Sequence, residues 1–169
     1  MSRRLYSTPE EAARGDIPSQ FVRVVGVVLR DDQAVVAQLT NDKPPYEVET
    51  ARCSRESGSW VAEGSGNSTS AYMPLSELMG TSVVWSPAPA DAVAARFVYK
   101  GREQVVSVEA GCALAAFDDV PVEDGFLGLP HLAAWIDASA NETQVPWHGP
   151  PERFRDKISE LLARRAQPN

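Results

Sequence analysis

Residues 64–70, Gly-Ser-Gly-Asn-Ser-Thr-Ser, come nearest to a phosphate-cradling loop. A P-loop needs a lysine and wider glycine spacing, and a dinucleotide turn needs a third glycine. The chain continues as Ala71-Tyr72-Met73-Pro74, which offers no helix N-terminus to a phosphate. Metal chemistry is equally poorly provided for. His131 and His148 have no cysteine or second histidine at ligand spacing, so a zinc site would have to draw on distant residues. Cys53 and Cys112 have no neighbouring histidine, and no Gly-x-Ser-x-Gly elbow occurs. Both thiols read as small, buried, reduced side chains on strands. The expectation is therefore no catalytic residue, no cofactor and no metal. Asn67-Ser68-Thr69 and Asn141-Glu142-Thr143 match the glycosylation triplet, but no secretory signal accompanies them.

Recognition is better supported than reaction. Asp118, Asp119, Glu123 and Asp124 form an acidic stretch that suits a cation or a basic protein and lacks the EF-hand pattern. Trp147, between Pro146 and His148, is the tryptophan expected to be exposed enough to touch a partner. The third candidate surface is the stripe Phe154, Ile158, Leu161 and Leu162, spaced for one face of a helix over residues 152–165.

The elements that would carry these residues are mostly strands. The central stretch is Val93 to Val120, read as a three-stranded meander with turns at Lys100-Gly101 and Ala110-Gly111. Two-residue turns set Phe97 opposite Gln104 and Val106 opposite Ala115. One face then collects Val93, Ala95, Phe97, Val106, Val108, Ala113, Ala115 and Phe117, the expected core. On the other face Cys112, Leu114 and Ala116 require cover on the third strand.

Upstream, Thr8-Pro9-Glu10-Glu11 starts a short helix that Gly15 stops. Residues 21–30 and 33–40 form a hairpin that is apolar on both faces. Val25, Val27, Leu29 and Val36 are expected on one face, and Val24, Val28, Val35 and Leu39 on the other. The short helix covers only one of these, so the other must meet the second module, the C-terminal helix or another copy of the chain. A closed homodimer is one expected outcome. Strands follow at 46–54 and from Trp60. Residues 63–70 read as a loop between modules, 75–79 as a helical turn, 81–86 as a strand, 121–129 as an acidic connection, 131–137 as a last strand and 141–151 as irregular chain.

The fold class expected is mainly β (α+β). A helix and antiparallel meander occupy residues 1–66, a β-sandwich-like module residues 67–148, and a C-terminal amphipathic helix residues 149–169. Helix, long hairpin and two further strands over Thr8 to Glu63 resemble the cystatin-like and nuclear-transport-factor-like α+β folds. The strand spacing from Thr81 to Asp137 resembles an immunoglobulin-like sandwich, without its Cys…Trp…Cys core. In composition, with Ala, Arg, Val and paired acids around short strands, the chain is similar to small uncharacterised actinobacterial proteins.

Charge narrows the function. Sixteen Lys and Arg stand against 23 Asp and Glu, a net charge of −7. Nucleic-acid binding draws its affinity from clustered cations and is not expected. The N-terminus has no apolar signal region and no apolar run reaches membrane-span length, so the expected compartment is the cytoplasm. The leading expectation is a non-enzymatic, protein-binding or accessory module of the immunity type, presenting an acidic surface to a basic partner. The alternative is a small-molecule-binding or enzymatic protein with a pocket between the two modules. A deep apolar pocket with converging polar groups discriminates in favour of the alternative.

Overall fold

The structure is a computed structural model that describes residues 4–40, 47–66 and 70–150, with 156, 159, 160 and 163 beyond. The first element is α1 (Pro9–Arg14). Thr8 accepts a hydrogen bond from the Glu11 N–H at 3.2 Å, while Glu11 accepts one from the Ser7 N–H at 3.1 Å. Gly15 ends the helix at φ +57°. After a single 3-10 turn come β1 (Arg23–Arg30), β2 (Gln33–Leu39), β3 (Val48–Glu56) and β4 (Ser59–Gly66), paired in that order as one antiparallel sheet, sheet 1. Next are β5 (Ser70–Pro74), β6 (Met79–Pro87), β7 (Ala92–Tyr99), β8 (Arg102–Ser107) and β9 (Cys112–Pro121). The described chain ends with α2 (Val122–Leu127), β10 (His131–Asp137) and β11 (Glu142–Gln144). Strands β5-β6-β9 form sheet 2, and β11-β10-β7-β8 form sheet 3. The protein is thus mainly β with antiparallel sheets. Among the described residues no helix is long and apolar enough to cross a membrane.

The three sheets stack, with α1 as a fourth layer. Ala12 of α1 packs with Ala34, Val36, Ala51, Cys53 and Trp60 on one face of sheet 1. The opposite face presents Val28, Val35, Ala37 and Leu39 to Met73, Val83 and Trp85 of sheet 2. Sheet 2 then turns Tyr72, Val84, Ala115 and Phe117 towards Ala95, Phe97 and Tyr99 of sheet 3. One core cluster therefore joins residues on both sides of position 66. Val28, Val35, Val36 and Leu39 of the β1–β2 hairpin are covered within the chain, while Val24 and Leu29 stay exposed.

The hairpin register is the expected one at Val28↔Val35, Val27↔Val36 and Leu29↔Ala34. It slips between Val24 and Gly26, so Val24 faces Gln38 and not Leu39. The extra residue in this bulge moves Val25 to the sheet 2 side, where it packs with Val28 and Leu39; Val24 and Leu29 are exposed.

The meander is half right. Strands β7 and β8 pair as expected, with Ala95↔Val106 and Phe97↔Gln104. The Ala110-Gly111 turn also forms, both residues at positive φ, and Glu109 and Cys112 close it with hydrogen bonds of 2.8 and 2.9 Å. Beyond that pair β9 leaves β8 and runs antiparallel to β6, from Pro87↔Cys112 to Met79↔Pro121. The reason lies in the faces. Strand β8 has a wet face carrying Glu103, Val105 and Ser107. Strand β9 is apolar on both faces, which suits a strand between two layers. The expected core face survives as the contact between two sheets, with Val93 exposed at its end.

Smaller corrections follow the same logic. Residues 63–66 continue β4 and Ser70–Pro74 is a strand; the rest of the expected inter-module loop, 67–69, lies outside the described residues. The helical turn at 75–79 is a loop closed by Met79, whose carbonyl accepts from the Leu75 and Ser76 N–H groups at 3.0 Å. The acidic connection contains α2, and the irregular chain after Asn141 contains β11. Of the C-terminal helix, Asp156, Ser159, Glu160 and Ala163 are helical and exposed. Phe154, Ile158, Leu161 and Leu162 lie outside the described residues.

Candidate functional site

Strand register brings two ring side chains together. β11 pairs with β10 at Ala134↔Gln144 and Trp135↔Thr143, and the Val145 N–H then donates to the Ala133 carbonyl at 2.8 Å. The same register carried two residues further sets Trp147 opposite His131, and directly opposed residues share a face. The rings stack with centroids 4.0 Å apart and planes 7° from parallel. The His131 Nδ1 lies 2.7 Å from the Leu129 carbonyl oxygen. A carbonyl only accepts, so Nδ1 carries the proton. Trp147 remains 43% exposed, as expected of it from the sequence.

This pair forms one wall of a cleft of about 710 Å³. Sheet 1 supplies a second wall through Arg52 on β3 and Gly64–Gly66 on β4, and sheet 2 contributes Ser70 and Tyr72 of edge strand β5. Phe126 of α2, 44% exposed, stands at the rim. The floor includes Phe97, Val84 and Trp85, which belong to the cores on either side of sheet 2. Its lining draws on residues from both sides of position 66.

Tyr72 organises the cleft. Its hydroxyl donates to the Val120 carbonyl at 2.7 Å, and its ring packs on Phe126 at 5.5 Å between centroids. The ring lies on Gly125 so closely that a Cβ there would sit 2.1 Å from a ring carbon. The outer edge of β5 is closed by side chains in place of a strand. Arg52 donates to the Tyr72 carbonyl at 3.4 Å, and Gln33 to the Pro74 carbonyl at 2.7 Å. Arg52 also meets Glu63 at 3.5 Å. Both Arg52 contacts are long, so its donors are only loosely engaged.

The acids named from the sequence are placed apart from this cleft. Asp118 accepts from Arg30 at 2.7 and 3.0 Å and from the Thr81 hydroxyl at 2.7 Å. These hydrogen bonds hold its carboxyl below the ordinary carboxylate range, the Arg30 guanidinium acting most strongly. Asp119 is exposed at φ +54°, in the irregularity opposite Thr81. Glu123 occupies the first turn of α2. Asp124 accepts from the Tyr99 hydroxyl at 2.5 Å and pairs with Lys100 at 2.6 Å. Burial, then the Asp124 contact, pushes the Tyr99 phenol up from its usual range. Asp118 and Asp124 thus serve internal contacts.

Cys53 and Cys112 are buried, and burial pushes each thiol up to about 11. Among the described residues no group of three or more His, Cys, Asp or Glu is placed to hold a metal. His148 lies in exposed chain past Trp147. Sequence reasoning missed Arg52, Tyr72 and Phe126. Phe126 had a usable signal, because Pro121, Glu123, Asp124 and Gly128 carry the start and stop marks of a short helix.

Fold and site together define a class by architecture: an antiparallel β-protein of three stacked sheets, with an aromatic cleft at their common edge. No protein-family model, curated protein or solved structure matches the chain.

Proposed function

We propose that the protein binds a small molecule in the cleft between sheets 1, 2 and 3. Of the two functions read from the sequence, this is the pocket-bearing alternative to an acidic protein-binding module. The observation that carries it is the cleft itself. Its volume of about 710 Å³ falls within the usual range for ligand sites, and such sites pair aromatic walls with a few polar groups. The acidic-surface reading is weakened because Asp118 and Asp124 are engaged by Arg30, Thr81, Tyr99 and Lys100.

Binding is favoured over nucleophilic catalysis. The His131 Nδ1 hydrogen bond goes to a backbone carbonyl and involves no hydroxyl or thiol that the ring could activate. Both thiols are buried and protonated at neutral pH.

The test is a thermal-shift screen of a small-molecule library against the wild type and Gly64→Trp. A Cβ at Gly64 meets open space, so the indole fills the cleft without straining the fold. A ligand present at a hundred times its Kd adds about 2.7 kcal/mol, or roughly 5–10 °C in a chain of this size. Compounds that shift the wild type and not the folded variant support the cleft. A library that shifts neither protein, or both equally, counts against it.

A further inference from the structure

The lining of the cleft differs in charge from the rest of the molecule. The chain carries 23 acids against 16 Lys and Arg, yet the described lining contains Arg52 and His131 and no aspartate or glutamate. Resting on the small-molecule reading above, we infer that the ligand is a planar aromatic carboxylate, its ring on Trp147 and its anion on Arg52.

Three observations converge on that chemistry. First, Arg52 is 46% exposed in its side chain, and its contacts to Glu63 and to the Tyr72 carbonyl are 3.5 and 3.4 Å long. A guanidinium has five donors in a planar fork that fits one carboxylate bidentately. A single arginine in a protein of charge −7 suits one negative charge better than the two of a phosphate monoester. Second, one face of the Trp147 indole is occupied by His131 at 4.0 Å. The ring stays 43% exposed and lines the cleft, which leaves it surface for stacking. Phe126, tilted against Tyr72, gives a second aromatic surface at the same rim. Third, these rings are held by backbone and packing, through the β10–β11 register and the bed of Tyr72 on Gly125. A preformed slot of this kind selects a flat ligand because little ordering is required on binding.

Isothermal titration with 2-naphthoate and its neutral analogue 2-naphthamide tests the assignment. The two share a ring system and differ in charge. Wild type is expected to bind the carboxylate about tenfold tighter than the amide, in line with the gain from charge-assisted hydrogen bonds. Arg52→Gln should abolish that preference by weakening the carboxylate far more than the amide, and Arg52→Lys should keep part of it. Trp147→Ala should weaken both probes. Equal binding of the two probes by wild type, or a preference that survives in folded Arg52→Gln, overturns the assignment. If neither naphthalene binds but library compounds excluded by Gly64→Trp do, the ligand class is wrong and the cleft stands. If no compound binds in a Gly64→Trp-sensitive way, the cleft reading itself fails.

Discussion

The Asp118 carboxylate ties the end of β9 to Arg30 on β1 and to Thr81 on β6, so one side chain pins sheet 1 to sheet 2. Its pKa in the folded protein is lowered, chiefly by the Arg30 hydrogen bond. A depressed folded pKa contributes stability that is fully present above the unfolded carboxylate pKa, about 3.9 for Asp. That stability is lost as the pH falls through the lower folded value. In urea titrations from pH 7 to pH 2, Asp118→Asn should begin less stable than wild type. The gap should close through the acid limb, and a gap that stays constant down to pH 2 assigns the ion pair no role. Gly125 makes the sharpest steric demand. An alanine Cβ there meets the Tyr72 ring at 2.1 Å, whereas one at Gly26 meets Leu114 at an ordinary 3.6 Å. Gly125→Ala is expected to destabilise by about 3 kcal/mol through overpacking. Gly26→Ala should stay within about 1 kcal/mol of wild type. Urea midpoints of the two variants compare the sites directly.

At the scale of elements, the informative case is the edge where β8 and β9 part. The strands belong to different sheets, yet their edges are stapled by side chains. Gln104 donates to the Ala116 carbonyl at 2.6 Å and Arg102 to the Asp118 carbonyl at 2.7 Å. These donors stand in for the ladder that a continuous meander would have formed. Arg102 also lies over the Tyr99 and Phe117 rings, at 4.9 and 5.8 Å. Gln104→Ala leaves the Ala116 carbonyl without that donor and should cost about 1 kcal/mol. Faster hydrogen exchange of the amides in β8 and the adjoining part of β9 should accompany it. If exchange there is unchanged, the staple does not hold the corner. The turn at Ala110-Gly111 was legible because its glycine and hairpin geometry are local. The partner of β9 was not, since β6 lies more than twenty residues upstream and competes with β8 for the same edge. The signal that did point away from a simple meander was the doubly apolar face pattern of Cys112 to Phe117.

For the whole molecule, the stack of α1 and three sheets predicts one cooperative unit. Val28, Val35 and Leu39 from sheet 1 share a cluster with Met73, Val83 and Trp85 from sheet 2. Val28→Glu places a carboxylate inside that cluster, where an unpaired charge is very costly. The variant should unfold, and sedimentation should not recover it as a folded monomer released from a dimer. A folded Val28→Glu monomer beside a dimeric wild type would restore the interface that the hairpin suggested. Wild-type urea transitions followed by tryptophan fluorescence and by far-UV circular dichroism should coincide.

Sequence alone determined what depends on neighbouring residues. Thr8, Pro9 and Gly15 fixed the ends of α1, and the glycine turns at Lys100-Gly101 and Ala110-Gly111 reversed the chain. Alternation and β-branched runs placed most of the strands, with Trp147 marked as exposed. These signals are local, because capping, positive φ and side-chain alternation act within a few residues. Tertiary structure decided which strands became neighbours, and with that the site. A bulge at Val25 reversed which face that side chain meets. The choice of β6 as the partner of β9 split one expected sheet into two. Arg52, Tyr72, Phe126 and Trp147 come from distant parts of the chain, and only the stacking of three sheets brings them around one cleft. No spacing along the sequence records that convergence, since it follows from long-range packing of apolar faces whose pattern many sheet orders would satisfy.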